Sequence, residues 1–241
     1  MNCPSPYWQS DCGRFTVYCA DCRTILPHLT GVDAVVTDPP YGISNHEFRS
    51  TLPSTKGVVN TESIAADGDT DAAGYLFSFI KTDTDAVVWG ANNFPHLLPH
   101  KGRWLCWDKR ITEDADRMLG SAFELAWTSK MTGFDRMIRC LHGGVVNADG
   151  GSRLHPTQKP TKVMIACLEI FPDAITILDP FMGSGTTGVA CVRLGRKFVG
   201  VEICEDYVKI AITRIERELA QGDFIRDAQP KPATQPELVT T

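Results

Sequence analysis

The 241-residue chain lacks any apolar run close to the roughly 20 residues that a transmembrane helix needs, so a membrane protein is not expected. Its start, MNCPSPYWQSDCGRF, also lacks the apolar segment of a secretory signal. Internal repeats and domain linkers are missing as well. Because the composition, 43% hydrophobic and 22% charged, is typical of globular proteins, a disordered chain, a coiled coil and a collagen-like fibre are excluded. We expect a soluble, cytoplasmic protein with one domain over residues 1–226.

A pattern of paired cysteines is missing too. The nine cysteines are odd in number and scattered, which does not indicate a disulfide framework. Four of them cluster near the start of the chain, at Cys3, Cys12, Cys19 and Cys22. A zinc site would need a second closely spaced pair facing Cys19 and Cys22, and the sequence offers none. We therefore favour ordinary buried thiols and expect no metal.

Net positive charge is absent overall, since the formal net charge is −5. This value argues against nucleic acid as a partner. The charge is unevenly distributed, however: residues 130–162 hold six basic and two acidic residues, a net charge of +4. The remaining 18 basic and 27 acidic residues give −9 elsewhere. The basic window is either a solvated charged face or a surface for phosphate groups.

Short apolar strands alternate with helical patterns along the chain. Strands are predicted at Phe15–Tyr18, Ala34–Thr37, Asp85–Gly90, Arg103–Trp107, Phe123–Thr128, Ile175–Leu178 and Lys197–Val201. Helices are predicted at Thr161–Ile170, Thr187–Leu194 and Cys204–Leu219, the last with charge pairs such as Arg214–Glu218. This alternation predicts an α/β fold with a doubly wound, mostly parallel sheet.

Two polar stretches do not fit the alternation. Residues 43–74 hold few apolar side chains and are predicted to form a long mobile loop of the kind that often has a function. Residues 227–241 are rich in Pro, Thr and Gln and are predicted to be a disordered tail.

A glycine-rich turn follows the strand ITIL. Gly183, Gly185 and Gly188 satisfy G-x-G-x-x-G, and the acidic Glu202 ends the next strand. This combination is the fingerprint of dinucleotide binding, in which a helix N-terminus receives the pyrophosphate and the acid binds ribose hydroxyls. A turn that only packs a helix onto a strand is the plain alternative.

Asp179 argues against a dinucleotide. Its carboxylate ends the strand where a pyrophosphate would need donors, and two negative groups would repel each other there. A ligand with a cationic amine suits the same carboxylate, and S-adenosylmethionine has such an amine and a ribose. We expect Asp179 to orient the methionine end and Glu202 to bind the ribose, with Ser184 and Thr186 donating to the cofactor carboxylate.

The segment Asp38-Pro39-Pro40-Tyr41 comes directly after a buried strand. Its prolines fix two φ angles and leave carbonyl acceptors in a stiff turn, where open α/β sheets bind their ligands. Asp38 and the Pro39 carbonyl could accept the N–H groups of an exocyclic amine and free its lone pair. Tyr41 would stack on a base taken out of the duplex.

Three motifs make the chain resemble the amino-methyltransferases of DNA, which form N6-methyladenine or N4-methylcytosine. They are DPPYG at 38–42, DPFMGSGTT at 179–187 and HPTQKP at 155–160. The catalytic motif precedes the cofactor motif, an order similar to that of the permuted β class. The resemblance implies a Rossmann-like methyltransferase fold and a target-recognition segment at about residues 110–153.

The resemblance also implies roles for single residues. Asp38, Pro39, Pro40 and Tyr41 would be catalytic. The cofactor site would comprise Asp21, Asp179, Phe181, Gly183, Ser184, Gly185, Thr186 and Glu202, with HPTQKP at its edge. Double-stranded DNA would contact Lys130, Arg136, Arg139, Arg153, His155 and Lys159. A homodimer is a candidate assembly.

The sequence thus predicts an S-adenosylmethionine-dependent DNA methyltransferase of a restriction-modification type. Adenine N6 is favoured over cytosine N4, because the cytosine enzymes more often carry Ser where this chain has Asp38. An NAD-dependent dehydrogenase is a distant alternative that leaves DPPYG and HPTQKP unexplained. A non-catalytic DNA-binding protein and an RNA substrate are further alternatives.

Overall fold

The computed structural model describes residues 4–41, 71–80, 84–99, 101–110, 121–131, 133, 135–140 and 158–228, with side chains to residue 221. Arg153, His155 and most of the predicted loop at 43–74 lie outside the described residues.

The described residues form nine strands and five α-helices. The strands are β1 (Trp8–Gln9), β2 (Phe15–Cys19), β3 (Ala34–Thr37), β4 (Asp85–Trp89), β5 (Arg103–Asp108), β6 (Phe123–Thr128), β7 (Arg136–Arg139), β8 (Thr176–Asp179) and β9 (Lys197–Glu202). The helices are α1 (Cys22–Ile25), α2 (Asp71–Phe79), α3 (Thr161–Leu168), α4 (Thr186–Arg193) and α5 (Glu205–Ala228).

All nine strands belong to one sheet, in the order β1-β2-β9-β8-β3-β4-β6-β5-β7. β2, β9, β8, β3 and β4 run parallel, and β5 is parallel to β7, whereas β1 and β6 are antiparallel to their neighbours. The strand order reverses between β8 and β3, because β8 leads outward to β9 and β3 leads the other way to β4. In open α/β sheets, ligands bind at the carboxyl ends of the strands at such a point.

Apolar side chains fill both faces of the sheet. On one face, α3, α4 and α5 pack on strand residues that include Val36, Trp89 and Phe198. On the other face, α1 and α2 pack on residues that include Val35 and Val88. Successive residues of a strand point to opposite faces, so Val35 and Val36 serve different cores. The doubly wound, mostly parallel sheet predicted from the sequence is confirmed.

Some elements differ from the sequence prediction. Helix α2 begins at Asp71, inside the predicted loop, because Ala72, Ala73 and Leu76 are buried in the second core and outweigh the loop signal of Gly74. Helix α5 continues to Ala228, so that the first two residues of the predicted tail are helical. Strand β7 was not predicted because its RMIR segment is largely exposed at the sheet edge and has no apolar run.

Within the part of the chain that the structure describes, no helix is long and apolar enough to cross a membrane.

Candidate active site

The ends of β3 and β8 bring the two motif aspartates to one edge of the sheet. Asp38 follows β3 directly, and Asp179 is the last residue of the neighbouring β8. Thr37 ties these strand ends together, since its Oγ1 donates a 2.7 Å hydrogen bond to Oδ1 of Asp179. The segments predicted to bind the amine and the cofactor are therefore adjacent.

Asp179 is 3% exposed and already accepts several protein hydrogen bonds. Thr187 Oγ1 donates to Oδ2 at 2.6 Å, and the Phe181 backbone N–H donates to Oδ1 at 3.2 Å. Burial raises the pKa of Asp179 to about 6, although these hydrogen bonds act to lower it. The carboxylate thus fixes the strand end and the start of α4, and its contact with a methionine amine stays a prediction.

The glycine turn between β8 and α4 lies against helix α5. Gly183 and Gly185 have φ of +48° and +77°, the left-handed region that glycine enters without steric cost. A Cβ on Gly185 would lie 2.7 Å from Cβ of Ala211 in α5. The motif glycine at this position is therefore required by packing in addition to any close approach to a ligand.

Glu202 ends β9 beside this turn. Its Oε2 accepts from the Gly183 backbone N–H at 3.0 Å and its Oε1 from that of Cys204 at 2.9 Å. Burial raises the pKa of Glu202, although these hydrogen bonds oppose the rise. The next residue, Ile203, is an apolar side chain that is 50% exposed at the same edge, which the sequence analysis did not single out.

Arg214 is a second residue that the sequence analysis did not place at the site. From α5, its Nη1 donates to the Ser184 carbonyl at 2.5 Å, to Ser184 Oγ at 3.0 Å and to Thr186 Oγ1 at 3.1 Å. Glu218, its predicted helical partner, accepts two hydrogen bonds from Arg193 of α4. The guanidinium of Arg214 thus binds the glycine turn from helix α5, and only the tertiary structure shows this contact.

Asp21 caps the N-terminus of α1. Its Oδ1 accepts from the Arg23 backbone N–H at 2.9 Å, and the Arg23 guanidinium binds both carboxylate oxygens. These hydrogen bonds lower the pKa of Asp21. The Ala20 backbone N–H donates to the Glu202 carbonyl at 3.0 Å, so Asp21 lies near the end of β9 as the predicted cofactor site requires.

Tyr41 is fixed on two sides. Its hydroxyl donates to Oδ1 of Asp38. Its ring packs on Gly90, where a Cβ would lie only 1.9 Å from Cε1 of the ring. Burial and the Asp38 carboxylate raise the pKa of the Tyr41 hydroxyl well above its usual value. The predicted stacking of Tyr41 on a flipped base stays a prediction.

Gln158 and Lys159 of the HPTQKP segment contact both halves of the site. Ser184 Oγ donates to Oε1 of Gln158 at 3.5 Å, and Nζ of Lys159 donates to Oδ2 of Asp38. Lys159 is only 6% exposed, and its Nζ also lies 3.2 Å from Oε2 of Glu124. This burial argues against the predicted contact of Lys159 with a DNA phosphate.

Besides Lys159, three residues of the predicted DNA surface are described. Arg136 and Arg139 are exposed in the edge strand β7, and they point to opposite faces because three positions separate them. Lys130 is half-buried, with its Nζ 5.8 Å from the centre of the Phe171 ring. Of these three residues, Arg136 and Arg139 are thus the exposed cations, and they lie on opposite faces of the strand.

Cysteines do not gather into a metal site in the described part of the chain. No group of three His, Cys, Asp or Glu side chains there could hold a metal ion. Burial raises the pKa of the Cys22 thiol to about 12, so this member of the Cys-x-x-Cys pair stays protonated.

The fold is that of known methyltransferases. The structure of an M1.HpyAVI–SAM complex matches with a TM-score of 0.53 and 20% identity, over 83% of this chain and 98% of that one. The PvuII DNA methyltransferase, which is described as cytosine-N4-specific, matches with a TM-score of 0.55 and 15% identity, over 93% and 96% of the two chains. The predicted Rossmann-like methyltransferase fold is confirmed.

The sequence family agrees with the fold. Residues 99–213 match the N6_N4_Mtase family, described as DNA methylase. Type II methyltransferase M2.DpnII of Streptococcus pneumoniae is 47% identical over 68 residues, 27% of this chain and 24% of that protein. Type II methyltransferase M2.LlaDCHI of Lactococcus lactis subsp. cremoris is 46% identical over 69 residues, 28% and 26% of the two chains. The matches span about a quarter of these relatives. The predicted resemblance to the DNA amino-methyltransferases of the N6/N4 family is confirmed.

Proposed function

We propose that this protein transfers a methyl group from S-adenosylmethionine to an exocyclic amino group of DNA, and that this group is N6 of adenine. One observation carries the proposal: Asp38 of the DPPY turn and the Asp179 glycine turn lie side by side where the strand order reverses. An acceptor for the amine and a turn for the cofactor would then share one pocket edge, as direct transfer between them requires.

The side chains around the glycine turn fit S-adenosylmethionine better than a dinucleotide. Asp179 and Glu202 put two carboxylates at this edge, and burial raises the pKa of both. Negative charge favours an amine and a sulfonium and disfavours a pyrophosphate. Glu202 has carboxylate lone pairs left for ribose hydroxyls, since a carboxylate offers about four acceptor positions.

The cofactor supplies an electrophilic methyl group on a sulfonium sulfur. The chain's part is to prepare the amine: Asp38 and the carbonyl of the buried Pro39 accept its two N–H groups and direct the nitrogen lone pair towards the methyl carbon. With the cofactor bound, the new N–C bond would form as the S–C bond breaks, a neutral thioether would leave, and the methylated amine would lose one proton to water. Positioning and hydrogen bonding supply the rate enhancement, without a covalent enzyme intermediate.

Adenine is favoured by the identity of the first residue of the DPPY turn, which is Asp38 in this chain and more often Ser in the cytosine-N4 enzymes. The PvuII enzyme, which shares the fold, is described as cytosine-N4-specific, so cytosine is the second candidate. The type II names of the relatives support a restriction-modification context. A homodimer stays a prediction.

A labelling experiment tests the reaction and the base together. Unmethylated DNA and, in parallel, RNA are incubated with labelled S-adenosylmethionine, digested to nucleosides and analysed for the modified base. We expect label in N6-methyladenine; label in N4-methylcytosine would refute the adenine proposal, and label only in an RNA substrate would refute DNA as the target. Asp38→Ala should abolish transfer while cofactor binding persists, and near-normal turnover by this variant would contradict the role of Asp38.

Binding assays separate the remaining alternatives. A methyltransferase binds S-adenosylmethionine and not NAD, whereas a dehydrogenase would do the reverse. A non-catalytic DNA-binding protein would bind DNA and transfer nothing in the labelling experiment.

A further inference from the structure

A buried ammonium lies directly behind the carboxylate of the DPPY turn. Nζ of Lys159 donates to Oδ2 of Asp38 and lies 3.2 Å from Oε2 of Glu124. It also lies 5.2 Å from the centre of the Trp89 ring, at a distance typical of a cation–π contact. The ammonium is thus held by two carboxylates and an aromatic face.

A second cation completes this arrangement. Nζ of Lys109 donates to Oε1 of Glu124 and lies 4.9 Å from the centre of the Trp107 ring. Positive and negative groups therefore alternate from Asp38 through Lys159 and Glu124 to Lys109. Because each inner charge has an opposite neighbour on both sides, the row offsets the cost of burying Lys159.

The charge state of Lys159 follows from this row. Burial alone would lower the pKa of its ammonium, but the Asp38 and Glu124 carboxylates outweigh burial and raise that pKa well above its usual value. Burial would likewise raise the pKa of Glu124, and the ammonium groups of Lys159 and Lys109 outweigh it and lower that pKa. Lys159 is therefore a permanent cation and has no role as a base.

The carboxylate of Asp38 has a fixed orientation as a result. Tyr41 donates to Oδ1 and Lys159 to Oδ2, so each oxygen is anchored by one donor. A carboxylate has about four acceptor positions, which leaves roughly two for other donors. Without the ammonium, Oδ2 would lose its anchor, and the side chain could rotate about its χ2 bond, which has a broad, roughly two-fold torsion profile.

We propose that Lys159 is a positioning residue for methyl transfer, which acts through Asp38 by holding its carboxylate in the orientation that accepts an amine N–H. This proposal rests on the proposed function, and it replaces the predicted phosphate contact of Lys159. Glu124 supports the same role from behind, because it holds the ammonium on the side away from Asp38.

The test compares Lys159→Met with Lys197→Met as a matched control. Lys197 is an exposed lysine at the amino end of β9, whereas the site lies at the carboxyl ends of the strands. Three quantities are measured: the single-turnover methylation rate at saturating DNA and cofactor, cofactor affinity, and DNA affinity as a function of salt. We expect Lys159→Met to lower the rate roughly 100-fold, the order of effect of a misplaced catalytic group, with both affinities within about threefold of wild type. Lys197→Met should match wild type throughout.

Rescue separates a requirement for the cation from a requirement for packing. In Lys159→Ala, added ethylammonium should restore part of the rate in a saturable manner, because it can place a cation in the vacated volume. Lys159→Met fills that volume and should not respond. If ethylammonium rescues neither variant, the proposal is overturned.

Further outcomes decide against it. A near-wild-type rate in Lys159→Met overturns it, and so does a variant whose only defects are weaker DNA binding and a salt slope reduced by about 1, the signature of a phosphate contact. Where the Lys159 variants fail to fold, Glu124→Gln keeps the ammonium and should lower the rate roughly tenfold; an unchanged rate overturns the proposal. Wild type that transfers no methyl group refutes the proposed function itself, whereas active wild type with an active Lys159→Met refutes the positioning role alone.

Discussion

The substitution Gly90→Ala tests whether the Tyr41 ring must stay where it lies. Gly90 follows β4 with φ of +65°, and a Cβ there would lie 1.9 Å from Cε1 of Tyr41. Ordinary carbon–carbon contact needs about 3.5 Å, so the ring edge must retreat by about 1.5 Å or the Gly90 backbone must move. Movement of the ring pulls the Tyr41 hydroxyl away from Oδ1 of Asp38.

The magnitude has two parts, which a matched control separates. Placing alanine in the left-handed region costs about 1–2 kcal/mol of the free energy of unfolding wherever it occurs. Gly195 has φ of +68° and nothing within 4 Å of its Cβ position, so Gly195→Ala carries this backbone cost without the clash. Displacement of a catalytic group by more than 1 Å lowers a rate roughly 100-fold, and only Gly90→Ala should show that loss.

The assay combines urea denaturation with single-turnover methylation and cofactor titration. We expect Gly195→Ala to lose stability and to keep the wild-type rate. Gly90→Ala should lose at least as much stability and roughly 100-fold in rate, with cofactor affinity preserved because the cofactor residues follow other strands. Equal rates in the two variants would show that the position of Tyr41 does not matter for catalysis and would refute the reasoning.

Three further predictions concern charged groups. Arg214→Met should weaken cofactor binding roughly tenfold by loosening the glycine turn, while Arg217→Met, an exposed control on the same helix, should bind normally in the same titration. Replacing Arg136 and Arg139 by Ala should weaken DNA binding and flatten its salt dependence by up to about 2 in slope, and an unchanged slope would count against a phosphate contact. The folded pKa of Asp179, about 6, lies above its ordinary 3.8, so its contribution to stability is present below pH 3.8 and is lost as pH rises through about 6. Asp179→Asn should remove that loss, so the stability of the variant relative to wild type should rise by roughly 2 kcal/mol between pH 4 and pH 7, measured by urea denaturation; a constant difference would contradict the burial of a charge there.

The central sheet could be predicted because its strands are buried on both faces and appear as short apolar runs. Ala34–Thr37 and Asp85–Trp89 are such runs, and their predicted bounds differ from the observed ones by at most one residue. The edge strand β7 carries an arginine at each end, and its partial burial leaves no apolar pattern to detect. Prediction therefore fails where a strand is defined by its neighbour's hydrogen bonds and not by its own burial.

The residues of the candidate site likewise fall into those that the sequence could predict and those that it could not. Asp38 and Asp179 could be singled out because each lies at the carboxyl end of a strand within a motif whose residue types suit one chemistry. The contacts of Arg214 and Lys159 could not be predicted, because they join residues 28 or more positions apart. Periodicity pairs Arg214 with Glu218, and charge counting assigns Lys159 to the surface, but neither method registers which side chains the fold brings together.

The carboxylates of the site show how the fold limits what a ligand can use. Asp179 accepts from Thr37, Thr187 and the Phe181 backbone, so a cofactor amine would compete with donors that also hold β8 to β3. Glu202 accepts from backbone N–H groups, including those of Gly183 and Cys204, in place of the buried side-chain hydroxyls that bind Asp179. We therefore expect substitution of Asp179 to change stability and cofactor affinity together, whereas Glu202→Gln should change affinity more than stability. A melt and a titration on both variants distinguish these outcomes, and equal loss of stability in both would mean that Glu202 serves the fold as much as Asp179 does.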